Sequence, residues 1–339
     1  MYGPLARRSL ILVAAILAAG FVLPLCVPVY FLYLANVLMM YAVLAIGLDL
    51  LLGWSGQFAF AHIAFFGIGI YGTALFDLRL GLPFVIGMPL AAALAGLIGW
   101  IIAIPSTRLR TVYLALATYA FAECAQWAFR TFDRITGGPD GLRIRPANVL
   151  GYATGTDPAA LPVVAAILCL MLLATLYLMR SRLGRHFAAI RDSEHVAAAC
   201  GIAVKRTKIA GFVLSAIYAG VAGGMYTLYE SFVNPDVLGV TQLVLVLTMV
   251  VVGGPGSILG VLLGVVLIGL LPEVLRAAPR GLLVWQEFFY GAILVLAVMF
   301  MPRGLWGVIE ERLRARPTAS RRAPSSTSSA SLRSEATQP

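Results

Sequence analysis

The sequence predicts an all-α polytopic membrane protein with about ten transmembrane helices (eight to ten). Both termini fall on the cytoplasmic side, and broken or re-entrant elements separate some of the spans. Three observations lead there. Hydrophobic residues make up 60% of the 339, charged residues only 12%, and the mean hydropathy is +0.92, far outside the range of soluble domains. Apolar runs fill residues 9–301 almost without pause. A single charged, Ala-rich stretch at 180–208 interrupts them.

A helix needs ~20 apolar residues to cross a bilayer. Leu10–Val27, Tyr30–Leu52, Phe58–Phe76, Phe84–Ile104, Val112–Phe129, Leu161–Met179 and Ile209–Tyr229 approach or meet that length. Val237–Val252, Ile258–Leu271 and Phe288–Met301 are shorter. None alternates as barrel strands do. With ten spans and the N-terminus inside, the cytoplasmic segments carry 18 Lys/Arg and the external ones seven, which obeys the positive-inside tendency. The net charge of +10 then reflects orientation and anionic lipid, with no need for nucleic acid. Arg7 and Arg8 precede a long run with no clear cleavage site, so that run reads as a retained helix. Residues 1–8 form a cytoplasmic N-terminus, 9–301 the membrane domain, and 302–339 a basic, Ser-rich cytoplasmic tail whose composition predicts disorder. The four cysteines show no paired spacing, which argues against a disulfide or metal framework.

Gly-rich segments such as AGVAGG at 219–224 predict close helix–helix approach, because small side chains let backbones meet in lipid. Two polar breaks stand out. Gly53-Trp54-Ser55-Gly56-Gln57 is uncharged and short, so it either turns tightly or dips into the bundle. Gly253-Gly254-Pro255-Gly256-Ser257 must end a helix and reads as a turn. Ionisable groups within spans are costly in hydrocarbon and should face the interior; they are Asp49, His62 and Glu123. Gly53, Gly56, Gln57, His62 and Glu123 are the candidate residues of a translocation path, with Gln57 foremost. No acidic relay at helical spacing suggests ion coupling.

Within 180–208, Ser193 is a good N-cap, Glu194 favours the first turn, and Gly201 stops a helix of about two turns. So short a helix is unstable alone and must lie against its own bundle or a partner. An ordinary interfacial loop obeying the charge rule explains the same composition. The chain has no G-x-x-x-x-G-K-[ST], G-x-S-x-G or H-E-x-x-H, so no cofactor, metal or catalytic residue is expected.

GLDLLLGWSGQ at 47–57 with AHIAFFGIGIY following, TGGPDGL at 136–142, and GRHFAAIRDSEHVAAACGI at 184–202 carry a resemblance, as do KIAGFVLSAIYAGVAGGMYTLYESFVNPD, LVLTMVVVGGPGSILG, LLPEVLR and FMPRGLWG in the same order. Over residues 37–307 the chain resembles permease subunits of branched-chain amino-acid ABC importers, of the LivM-like type. The resemblance implies a coupling helix at 191–201, with Arg185, Arg191, Asp192, Glu194, Ala197, Ala198 and Gly201 engaging an ATPase. It implies a second homologous permease subunit, two cytoplasmic ATP-binding subunits and a periplasmic or extracellular substrate-binding protein as partners, in the bilayer of a bacterial cytoplasmic membrane. Hydrolysis of ATP falls to those partners. A urea or short-amide permease fits the same motifs, and an ion-coupled secondary transporter or a passive channel is the rival from another class.

Overall fold

The computed structural model describes residues 27–314 apart from 108, 110, 146, 150–151, 278–284 and 302–303, together with 16–18, 20, 23 and 24. Its long helices are α1 (Val29–Asp49), α2 (His62–Leu80), α3 (Phe84–Ser106), α4 (Thr111–Thr131) and α5 (Asp157–Arg180). Two short helices follow, α6 (Arg182–Asp192) and α7 (Glu194–Ala199), and then α8 (Val204–Tyr226), α9 (Val240–Gly253), α10 (Ile258–Gly269), α11 (Gln286–Phe300) and α12 (Gly304–Arg314). Seven helical runs are long and apolar enough to cross a membrane. Those begin at Val29, His62, Phe84, Asp157, Val204, Ile258 and Gln286. Of the ten expected spans, α4 is more polar and α9 has only 14 residues. The first, Leu10–Val27, lies largely outside the described residues, although Gly20 packs against Ala165 of α5.

The bundle forms around α1 and α8. Val43, Leu44, Ala45 and Ile46 of α1 and Phe212, Ala216, Ala219 and Ala222 of α8 are almost wholly buried, with Phe65, Phe66 and Ile70 of α2 between them. The predicted small-residue contact is present: a Cβ on Gly223 would overlap the carbonyl oxygen of Phe66, and one on Gly69 the backbone of Gly220. Backbones that close leave no room for a side chain, and dispersion between them replaces the hydrophobic effect that lipid cannot supply.

Polar ties sort into two layers. At one end Tyr33 donates to Glu230 (2.9 Å), Asn36 to the Asp157 carbonyl (3.1 Å) and Thr241 to Glu287 (2.9 Å), and Arg130 pairs with Asp236 (2.6 Å). There the 132–156 segment adds a strand, β1 (Leu142–Arg143), and a hairpin of β2 (Asn148–Val149) with β3 (Tyr152–Ala153); β1 pairs antiparallel with β4 (Phe232–Val233). At the other end the Gly256 amide donates to Asp49 (2.7 Å) and Gln57 to the Lys208 carbonyl (3.3 Å). α9 therefore runs from one layer to the other despite its length of about 21 Å at 1.5 Å per residue.

Several boundaries differ from the sequence expectation. α2 begins at His62 and not Phe58, because the Phe60 amide donates to Thr118 of α4 (2.9 Å) and not to a helical carbonyl. The helix runs on to Leu80, where Gly81 at φ 61° closes it. The tail is not disordered throughout: Gly304–Arg314 is helical, with Leu305 on the core and a Gly260 backbone close beneath Trp306. An apolar, docked first turn outweighs the charge that follows it. The remainder of the tail lies outside the described residues.

Candidate functional site

At the layer where Asp49 meets Gly256, two short helices form an elbow on the bundle. The expectation of a loop with one short helix missed α6, an amphipathic helix that buries Gly184, Phe187 and Ile190. Its period was readable in Phe187 and Ile190, three apart on one face. Serine at 193 is extended (φ −163°, ψ 118°) and separates the two helices. Its Oγ accepts from the Val196 amide at 3.4 Å. At the far end the Ile202 amide reaches the Ala197 carbonyl (3.1 Å) and the Gly201 amide the Ala198 carbonyl (3.0 Å), a Schellman closure with Gly201 at φ 81°. No atom lies within 4 Å of a Cβ built on Gly201, so the glycine is there for its dihedral alone.

The elbow presents one face and buries the other. Ala197 is 2% exposed, whereas Glu194, His195, Val196, Ala198, Ala199 and Cys200 are exposed. Glu194 forms an ion pair with Lys208 at the start of α8, which braces α7. Arg185 is exposed and donates to the Arg180 carbonyl (3.2 Å); Asp192 is exposed.

Arg191 links this elbow to both breaks in the bundle. Its backbone lies against Gly56, 3.5 Å from a Cβ built there, and its guanidinium reaches Gly256. Asp49, buried at 2% exposure, lies within electrostatic reach of Arg191 and accepts the Gly256 amide. Between them α1 widens into a single π-helical turn, Leu50–Trp54. Such a turn frees carbonyls and recurs at functional positions. Gly53 is required there, since a side chain would overlap Asp49 Oδ1 and the Gly256 amide. The chain then turns back through Gly56 at φ 68°, with Ser55 Oγ on the Leu51 carbonyl (2.8 Å) and the Gln57 amide on the same carbonyl (2.9 Å). The break is thus a buried turn at the elbow.

Gln57 is 6% exposed, and its side-chain amide donates to Ser55 (2.9 Å) and to the Lys208 carbonyl (3.3 Å), clasping the break to α8. His62 is 2% exposed: Nε2–H donates to the Leu44 carbonyl (2.8 Å) and Nδ1 accepts from Ser215 (2.9 Å), joining α1, α2 and α8. Glu123, half-buried on α4, lies near Tyr119 of the same helix and apart from the elbow. Its neighbour Gln126 instead donates to the Pro235 carbonyl in the opposite layer (3.3 Å). The structure therefore joins Gly53, Gly56, Gln57 and Arg191, sets His62 behind them, and leaves Glu123 apart. Asp49 and Lys208 complete the site; a buried carboxylate one turn before a glycine break was the signal for the first.

The class the fold defines is a helical multi-span bundle with an exposed two-helix elbow braced against its broken helices. The chain belongs to the family described as branched-chain amino acid transport system / permease component, which matches residues 30–298. It is 29% identical over 312 residues to the high-affinity branched-chain amino acid transport system permease protein LivM of Escherichia coli (strain K12), covering 85% of this chain and 72% of that protein. The LivM protein of Salmonella typhimurium is 30% identical over 305 residues, covering 83% and 71%. The LivH permease of Escherichia coli (strain K12) is 26% identical over 290 residues, covering 79% and 91%. No solved structure matches the chain.

Proposed function

We propose that this chain is one of two membrane subunits of an ATP-driven importer for branched-chain or similar small neutral amino acids, in a bacterial cytoplasmic membrane. Its partners are a second, homologous permease, two cytoplasmic ATP-binding subunits and an external substrate-binding protein. Ten spans place both termini and the α6–α7 elbow in the cytoplasm. The single observation that carries the reading is the elbow itself: an exposed, small-sided helix, α7, joined to α6, whose last-turn Arg191 touches both breaks.

The exposed residues Asp192, Glu194 and Ala198 meet the ATP-binding subunit, Arg185 lies at the rim, and Ala197 and Gly201 hold the helix in shape. Closure of the ATP-binding subunits moves α7, and Arg191 passes that motion to the π-turn at Gly53–Gln57 and to the Gly256 loop. Gly53, Gly56 and Gln57 act as the hinge of the path, and His62 and Glu123 border the helices that move. The LivM and LivH relatives support the substrate class and the pairing of two permeases.

Proteoliposomes holding both permeases and the ATP-binding subunits should accumulate labelled leucine when ATP is inside the nucleotide-facing compartment and the binding protein is opposite. Accumulation by vesicles lacking the ATP-binding subunits, driven by a proton or sodium gradient, overturns the proposal in favour of a secondary transporter.

A further inference from the structure

The helix α4 has the length of a span without the composition of one. Its 21 residues cover ~31 Å, yet it is not among the seven helices apolar enough to cross a membrane. Its outward side also differs from that of its neighbour α3. On α3 the exposed residues Ile86, Leu90, Leu94, Leu97 and Ile101 form a continuous stripe of large aliphatic side chains, the surface that hydrocarbon favours. On α4 the large exposed hydrophobic side chains stand only towards the ends, Val112, Tyr113 and Leu116 at one and Trp127 at the other. Between Leu116 and Trp127 the exposed positions are Ala117, Ala120 and Cys124, three or four residues apart and so on one face. The middle of that face is a shallow trough.

A carboxylate stands at the edge of the trough. Glu123 directly precedes Cys124, is half-buried, and has Tyr119 beside it one turn back. Along the axis it lies only ~3 Å from Phe121, the midpoint of the helix. Its short side chain cannot reach either surface of a hydrocarbon layer ~30 Å thick from there. Among the described residues no Lys, Arg or His forms an ion pair with it. An ionisable group at that depth faces protein or water and is met by a polar partner, which lipid tails do not supply. One stretch of α4 thus holds both a recess that admits a backbone and a charge that excludes lipid.

We propose that this face of α4 is where the second permease packs. A helix of that subunit lies in the trough across Ala117, Ala120 and Cys124, and a basic or hydrogen-bond-donating side chain on it meets Glu123. Small residues at this spacing let two backbones approach closely. Dispersion and an interhelical hydrogen bond then hold helices that the hydrophobic effect cannot drive together in lipid. Leu116 and Trp127 close the trough at its ends. The inference rests on the importer reading above, which calls for a second permease, and adds to it the surface by which the two meet.

The test is the reactivity of Cys124, an exposed free cysteine, in a chain that retains no other cysteine. N-ethylmaleimide should modify it in the chain purified alone and several-fold more slowly in the co-expressed pair of permeases. Leu97→Cys on α3, in a cysteine-free chain, should react equally in both. Two variants test the contact itself: Ala120→Leu fills the trough and Glu123→Leu removes the charge. Neither should lower the unfolding temperature of the lone chain, since leucine suits lipid or detergent at both positions. Each should cut the amount of second permease that co-purifies roughly tenfold. Equal Cys124 rates alone and in the pair, or wild-type co-purification by both variants, overturn the proposal and leave the face to lipid. Protection already present in the lone chain, and rising with its concentration, overturns it in favour of a second copy of this chain. Failure of any second permease to co-purify with the wild type, while vesicles holding this chain alone accumulate leucine, removes the importer reading and the face with it.

Discussion

Gly201 and Glu194 stand side by side on the elbow but act through different physics, and variants separate them. Gly201 is required only for its left-handed dihedral, so Gly201→Val strains the backbone by about 1–2 kcal/mol without a clash. The α7 cap should loosen while the transporter still assembles, and ATP hydrolysis should persist as leucine uptake falls. Glu194 is half exposed and ion-paired with Lys208, so its loss costs at most ~1 kcal/mol. Glu194→Lys should therefore leave thermal unfolding unchanged and lower uptake by setting like charges together; unchanged uptake in both variants would remove the elbow from the mechanism. Asp49 differs again. Asp49→Asn keeps an oxygen for the Gly256 amide, whereas Asp49→Ala leaves that amide unpartnered at a cost of about 1–3 kcal/mol, readable in detergent unfolding. Glu230 supplies a pH test. Burial raises its carboxyl pKa above the usual range and the Asp157 charge adds to this, while the Tyr33 hydrogen bond opposes it. With the folded pKa above the unfolded one, folding is favoured by protonation, and that contribution is lost as pH rises through the folded value. Glu230→Gln should thus be more stable than the wild type at neutral pH, with the gap closing as pH falls into the carboxylate range.

At the scale of elements, the helices were legible wherever lipid sets the composition and less so where the protein packs on itself. The cores of α1, α3, α5 and α8 follow the apolar runs because ~20 apolar residues have few other places to go. α6 escaped notice because only three of its 11 residues are buried and most of the rest are charged or small, so charge masked the period. The π-turn had a readable cause in Gly53, yet its wedge against Gly256 depends on a contact some 200 residues away that no local pattern encodes. His62 and Gln57 were found as polar residues in apolar surroundings, but their partners Ser215, Leu44 and Lys208 were not. Glycine spacing, by contrast, gave a firm element-scale expectation. Gly223→Val would drive a side chain into the Phe66 carbonyl and the Ile70 amide of α2. Overpacking there should destabilise by about 1–3 kcal/mol or more. The measurable result is a lower unfolding temperature and reduced yield, with Ala at Gly291, where a Cβ meets no atom within 4 Å, as an unaffected control.

For the whole molecule, the strongest constraint is the sorting of polar ties into two layers. Arg130 at the end of α4 meets Asp236 before α9, and Gly256 after α9 meets Asp49 at the end of α1. Both α4 and α9 must then pass between layers, though one is more polar and the other shorter than a free-standing span. Packing against neighbours permits this, because the protein interior and a locally thinned bilayer relieve the mismatch. With those two included, α1 to α11 without α6 and α7 are nine candidate crossings among the described residues, and the first apolar run, the tenth expected span, lies largely outside them. Cysteine labelling tests the arrangement. In variants retaining a single cysteine, Cys200 at the C-cap of α7 should react with a membrane-impermeant maleimide only in inverted vesicles. Ser231→Cys, on the exposed segment beside β4, should react only in right-side-out ones. Labelling of both from one side would mean that α8 does not cross and the two-layer reading fails. If α7 offers its exposed face to an ATP-binding subunit, as proposed, co-assembly with that subunit should also slow modification of Cys200 while leaving residue 231 as reactive as before. Equal rates at Cys200 with and without it would place the motor's grip elsewhere on the cytoplasmic surface.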